Sequence, residues 1–256
     1  MMFRQLLPLL VLLTFSGTAF AKQFEALLFT KTAGWHHQSL AEAVPALRAL
    51  ADKHHFHLEW SANAEVISAD NLARFDVVLF VSTTGDVLNE EQERALQAFV
   101  RSGKGFVGVH AAADTEPDWD WFGQLVGRRF VIHPEIQSAR LELRSRDFPG
   151  LERMPDSFWW TDEWYEFTEA KVEGLNYLLT VDETTFDPRV DWGARGKGVG
   201  MGDFHPISWF HDFDGGRSFY TALGHTSASW SDALFMEHVY GGIYWAATGK
   251  GLRASR

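Results

Sequence analysis

The sequence predicts an α/β fold, a doubly wound and mostly parallel sheet with helices on both faces. Three observations carry that reading. Strand-like apolar runs alternate with helix-period stretches from Phe24 to Val109. One run, VVLFV (77–81), is continuous, as in strands buried on both faces. The residues able to do chemistry sit in loops that follow strands, where ligands bind in such sheets.

FEALLFT (24–30) reads as the first strand. From Ser39 to Lys53, Leu40, Val44, Leu47 and Leu50 fall on one helical stripe. HLEW (57–60) is a second strand, and VVLFV, introduced by Asp76, a third. Residues 89–103 read as a helix with an Asn89 cap, an acidic first turn and a Gly103 stop. FVGV (106–109) then runs into His110 and small residues that permit a tight turn into a helix start. Beyond Phe130 the periodicity weakens into an irregular, aromatic-rich insertion in which ARLELR (139–144) and NYLLTV (176–181) read as strands. ISWFHDFDGGRSFYTALGH (207–225) predicts a C-terminal β-hairpin turning through Asp214-Gly215-Gly216, residues that tolerate positive φ. A last helix covers about Asp232 to Thr248. With no repeat and no Pro-rich linker, residues 22–256 are expected to form a single domain.

The first 21 residues combine one basic residue, Arg4, an apolar run from Leu6 to Phe15 and an A-x-A ending, the pattern of a cleavable signal peptide. The expected location is the periplasm, with secretion from the cell as second choice. No later segment approaches the roughly 20 apolar residues of a membrane helix, so no membrane partner is expected. A net charge of −11 without a Lys/Arg cluster argues against nucleic acid and favours a small, uncharged substrate. The absence of cysteine removes disulfides, thiolate ligands and a cysteine nucleophile together.

Three strand-following loops carry His36, His37, Thr83, Asp86, His110 and Asp114, while His133, His205 and His225 also stand beside strands or turns. Imidazole is both a common metal ligand and a base near neutral pH. No two histidines have the spacing of a helix-borne zinc motif, so a metal site here requires convergence of distant residues. His54, His55 and His57 read as solvated residues at a helix-to-strand junction. In TDEWYEF (161–167), Asp162 and Glu163 are either a ligand or acid/base among aromatics, or a solvated turn. The Gly-rich GKGVGMG (196–202) neither follows a strong strand nor opens a helix, so it reads as a loop at the site mouth, and no nucleotide cofactor is expected. No G-x-S-x-G marks a serine nucleophile. The 11 Trp and 21 Phe serve either a packed core or sugar-stacking faces.

The blocks LLFTKTAGWHHQS, FDVVLFVSTTGD, GKGFVGVHAAADT, LVGRRFVIHP, TDEWYEF and HPISWFHDFDGGRSFYTALGH together resemble those of the ThuA-like (trehalose utilisation) family, from about Phe24 to Gly249. The resemblance implies a flavodoxin-like fold of the class I glutamine amidotransferase-like superfamily. True glutamine amidotransferases carry cysteine at the elbow; His110 stands there instead, and glutaminase chemistry is excluded. The resemblance further implies an enzyme of oxidised-sugar metabolism acting on 3-keto-glycosides, and singles out His37, His110, His133, Asp162, Glu163, Tyr165 and His225. A C3 ketone acidifies the C2 proton, so a base removes it, the C1 substituent leaves, and water adds back.

The catalytic set expected on that basis is His110, Glu163, His37, Asp162 and Tyr165. Either one divalent metal, zinc or similar, is held among His37, His110, His133 and His225, or the histidines act alone. Trp35, Trp119 or Trp164 would stack on the sugar, beside Thr83 and Asp114. The competing expectation is a non-catalytic sugar-binding module. A two-carboxylate hydrolase is poorly served, because Asp162 and Glu163 are adjacent and would point apart on a strand.

Overall fold

Continuous apolar strands need a layer on each side, and the helices between them supply it. In the computed structural model, which describes residues 22–252, three such strands, β1 (Glu25–Phe29), β3 (Val77–Val81) and β4 (Gly105–Val109), lie parallel with the half-exposed edge strand β2 (His57–Ser61). They are linked by α1 (Leu40–His54), α2 (Ala69–Leu72) and α3 (Glu90–Arg101). The signal peptide expected at 1–21 lies outside the described residues. After β4 come a 3-10 turn (His110–Asp114), α4 (Asp120–Val126), β5 (Phe130–Ile132), β6 (Gln137–Leu143), β7 (Ser157–Asp162), β8 (Glu166–Phe167) and β9 (Asn176–Asp182). The chain closes with the short pair β10 (Val190–Asp191) and β11 (Lys197–Gly198), the hairpin β12 (His205–Phe213) and β13 (Gly216–Thr221), and α5 (Ala233–Thr248).

One nine-stranded sheet runs in the order β2-β1-β3-β4-β13-β12-β9-β6-β7. The hairpin is no appendage. Its second strand, β13, pairs in parallel with β4, Thr221 opposite Val109, and so occupies the middle of the sheet. The aromatic-rich segment, far from irregular, supplies the antiparallel half through β6, β7 and β9. The hairpin turn forms as its residues suggest, with φ of 48° at Asp214 and 91° at Gly215.

Alternation along β13 separates the two helical layers. Ser218 donates its hydroxyl hydrogen to the Leu125 carbonyl of α4, whereas Phe219, its neighbour, stacks edge-on against His238 of α5. Helix α5 lies very close to the sheet because Gly242 faces the Phe219 ring and Gly105 faces the Ala246 carbonyl, leaving no room for a Cβ at either place. On the other layer Phe80, Phe106 and Phe122 pack ring to ring, with centroids 5.4 to 5.6 Å apart.

The sheet curls. Strand β7 stands four places from β13, about 19 Å away along a flat sheet. Yet Asp162, the last residue of β7, accepts hydrogen bonds from the backbone of Gly224 and His225, just beyond β13. Register shifts in β12 between Pro206 and Trp209 accompany the bend that brings this edge back over the carboxyl ends of the parallel strands. Among the described residues no helix is long and apolar enough to cross a membrane.

Replacing Gly105 by Ala forces a methyl group into the Ala246 backbone, and should lower stability by about 1–3 kcal/mol through overpacking. Thermal unfolding tests this: an unchanged melting temperature would contradict the close seating of α5.

Candidate active site

The site is built where β1, β3, β4 and β13 end. Ala111, Ala112 and Ala113 are small enough to be buried as the chain leaves β4, and the turn places His110 at φ 54°, a left-handed backbone that residues with side chains rarely adopt. Its ring is fully buried. Nδ1 lies 2.8 Å from the Ala222 carbonyl, which can only accept, so Nδ1 carries the hydrogen and Nε2 keeps a lone pair. That nitrogen faces the Tyr165 hydroxyl at 2.9 Å, His225 Nδ1 at 3.1 Å and Glu163 Oε2 at 3.5 Å.

His37, from the loop after β1, sets its ring edge-on against both His110 and His225, with centroids 4.7 and 5.3 Å away. Its Nδ1 is buried without a hydrogen-bond partner, and so is Glu163 Oε2. The latter lies 3.0 Å from His225 Nδ1 and 3.5 Å from His133 Nε2, close without being hydrogen-bonded. One ligand atom from each of His37, His110, Glu163 and His225 falls within 4.8 Å of all the others. His133 stands outside that set; its Nδ1 donates to the Pro134 carbonyl at 2.8 Å, leaving the Nε2 lone pair turned toward Glu163.

Burial, reinforced by the neighbouring rings of His110 and His225, drives His37 down to about 3, so it is neutral at pH 7. Burial also lowers His133, against the pull of Glu163. For Glu163, desolvation is outweighed by the contacts with His110 and His225, which hold it well below the ordinary carboxylate range. His225 goes the other way: burial lowers it, but its contact with Glu163 outweighs burial and raises it, so any proton it holds must leave when a divalent metal binds. Three nitrogens and one oxygen, two of the donors buried and unpartnered, fit zinc or a similar ion.

A cavity of about 930 Å³ opens over this cluster, walled by Trp35, Phe130, Trp192 and Arg195, with Asp114 at its side. Trp35 is 70% exposed and offers a free aromatic face. Other expected site residues stand elsewhere. Extended neighbours point to opposite sides, so with Glu163 and Tyr165 facing the cavity, Trp164 turns inward, fully buried with its indole N–H on the Gln137 carbonyl. Trp164 therefore has no face for a sugar. Trp119 stacks on Trp121 and lines a separate acidic cavity. Thr83 is buried, its hydroxyl paired with that of Thr115.

Asp162 is not in the cavity wall either. Its Oδ1 accepts the backbone N–H of Glu163 (3.0 Å) and His225 (3.1 Å), and its Oδ2 that of Gly224 (2.9 Å) and the Trp160 indole (3.2 Å). Burial pushes its carboxyl upward, opposed by the nearby His110 ring and these donors. It positions two of the four converging residues and touches no solvent. His205 does similar work: Nδ1 lies 2.6 Å from Glu183 and Nε2 2.8 Å from the Tyr165 carbonyl, while Glu183 also accepts from Met201 and Gly202 of the Gly-rich loop. The sequence did not single out Phe130, Trp192 or Arg195 as cavity walls: Phe130 lies in LVGRRFVIHP, where His133 drew the reading, and Trp192 and Arg195 just precede the Gly-rich loop.

A family model for ThuA, described as trehalose utilisation, matches residues 25–246. Among solved structures, ThuA-like proteins from Bacteroides uniformis (20% identity, TM-score 0.74, covering 90% of this chain and 94% of that one) and Parabacteroides merdae (20%, 0.68, 91% and 93%) are similar. A β-galactosidase from Bacillus circulans sp. alkalophilus aligns at 12% identity and TM-score 0.52 over 87% of this chain but 30% of its own. At these identities the likeness is one of fold. No curated protein matches.

Replacing Asp162 by Asn turns an NH2 group toward two N–H donors, and should cost about 1–3 kcal/mol. A lowered melting temperature with every cavity-lining residue intact is the expected result; no change would show the four bonds to be unimportant.

Asp86, expected near the site, instead shares the acidic cavity with Glu93 and Glu116. Burial raises Glu116 from 4.5 to about 7, although its Oε1 accepts from the Val87 and Leu88 N–H groups. Between those two values the folded chain holds a proton that the unfolded chain has lost, so stability falls as pH rises through that window. Glu116→Gln keeps the accepting oxygen and removes the charge. The drop in melting temperature between pH 5 and pH 8 should therefore shrink in the variant, and an equal drop would refute this.

Proposed function

The chain belongs to the ThuA family, a family of carbohydrate utilisation, and from that premise we propose that its cavity cleaves 3-keto-glycosides by elimination and hydration, with one divalent metal held by His37, His110, Glu163 and His225. The observation that carries the reading is the convergence of those four ligand atoms within 4.8 Å at the floor of a cavity with aromatic walls. Such an ion supplies Lewis-acid polarisation of the C3 ketone.

The chain's own groups supply the proton transfers. His133 is the base: burial keeps it neutral, and its bond to the Pro134 carbonyl reserves Nε2 for the substrate. It takes the C2 proton, and the C2–H electron pair passes into the C2–C3 bond as the ketone becomes an enediolate. That pair then forms the C1–C2 double bond while the C3 ketone re-forms and the C1 oxygen departs. The departing oxygen takes the proton from the His133 imidazolium. Water finally adds its hydroxyl to C1 and its hydrogen to C2, so the net change is hydrolysis with no oxidant consumed. Tyr165, whose ring packs against the His110 ring with centroids 4.6 Å apart, fixes that imidazole, and Trp35 offers the sugar a flat apolar face. The 1–21 leader supports a periplasmic site of action.

The test is elemental analysis of the purified protein together with turnover of a 3-keto-glycoside before and after chelation. Stoichiometric metal and chelator-sensitive cleavage are expected. His133→Gln should lose about 10²- to 10⁴-fold in kcat with metal retained, and His110→Ala should lose metal and turnover together. Full activity in chelated protein would remove the metal from the reaction; sugar binding without turnover would make this a binding module.

A further inference from the structure

We propose that Arg195 makes the cavity selective for glycosides that carry an oxyanion, the two-oxygen face of a carboxylate or a phosphate. This rests on reading the cavity as a sugar site. Arg195 ends the 3-10 turn Gly193–Arg195, between β10 and β11, and is the sole Lys or Arg in the cavity wall.

Its guanidinium stands apart from all others of its kind. Among the described residues every other arginine has an ion pair, a hydrogen bond or an aromatic ring: Arg48 lies over Trp60, Arg128 and Arg129 hold backbone carbonyls, Arg217 caps α5, and the rest pair with carboxylates. Arg195 has none of these. The chain has 34 acidic against 23 basic residues, so a partner was available in composition. The nearest one in sequence is already committed: Asp191 binds Lys197 at 2.7 Å and the Gly193 N–H at 2.9 Å. Within the cavity, Glu163 is surrounded by imidazoles and Asp114 has Arg129 as its charge neighbour.

A guanidinium left free at a cavity wall presents a planar fork of donors that matches two oxygens of a carboxylate or phosphate. The overall charge of −11, which favours an uncharged substrate from a distance, does not decide the matter here. Screening confines long-range repulsion to about 8 Å at physiological salt, and inside that range the local fork dominates.

The experiment is calorimetric titration of the full chain, stripped of metal by chelation, with methyl glucoside, methyl glucuronide and glucose 6-phosphate. Both anionic probes are expected to bind about 10-fold or more tightly than the neutral one, by a margin that narrows with added salt. Arg195→Met should abolish the preference, bringing the three probes to within about 2-fold of one another. Arg195→Lys should retain more of the phosphate preference than of the carboxylate preference, because the planar fork is lost and the charge kept. Since Arg195 is exposed, matching melting curves will verify that both variants fold. Preference for the glucuronide alone, or for the phosphate alone, identifies which oxyanion the site takes. Equal binding of neutral and anionic probes, or a preference that survives Arg195→Met, overturns the proposal and leaves the sugar-site reading standing; no binding of any probe overturns both.

Discussion

The Asp162 carboxylate holds the site together. A buried charge is tolerated only when hydrogen bonds replace its lost hydration, and here four N–H groups do so. Two of them belong to Glu163 and His225 themselves, so one side chain fixes the backbone from which both project. The same bonds join the outermost strand of the sheet to a central one. The curl that makes a cavity out of an open sheet is therefore closed by the group that aligns the converging residues.

A second knot reinforces the first. His205 faces a carboxylate with one nitrogen and the Tyr165 carbonyl with the other, so it ties the backbone of Tyr165 to Glu183 and, through Glu183, to the Gly-rich loop. Tyr165 then touches His110 with its hydroxyl. His110 is anchored by Ala222 and strained at its backbone. Of the converging residues, His110, Glu163 and His225 thus have their placement set by a neighbour outside the cavity, as pre-organised sites require.

The parallel half of the fold was legible because its signals are local. VVLFV can be little but a buried strand, and Asn89 does cap α3, in a reciprocal box with Gln92. In the antiparallel half β6, β9 and the hairpin were legible as strands too, but β7 was not, because it alternates half-buried and exposed aromatics such as Trp159, a pattern without a clear apolar face. The place of β13 in mid-sheet depends on pairing with β4 across nearly half the described chain, and no local preference encodes it. At the site, the resemblance of motifs singled out His37, His110, Glu163 and His225, but their spacing along the sequence said nothing of their convergence. Strand alternation held the clue that Trp164 faces away from the cavity while Tyr165 faces it. Arg195 left no trace at all, since an isolated arginine in a glycine-rich turn looks like any solvated residue.

The central position of β13 also dictates when the protein can fold. Arg217 pairs with Gly105 and Thr221 with Val109, so a chain growing from its amino end carries β4 with one edge unpaired until nearly the whole of its length has been made. Closing so long a loop is slow, and an open strand edge invites pairing with other chains in the meantime. Premature termination before β12 would leave not a smaller working protein but an aggregation-prone half-sheet, and folding becomes in effect a post-synthetic event.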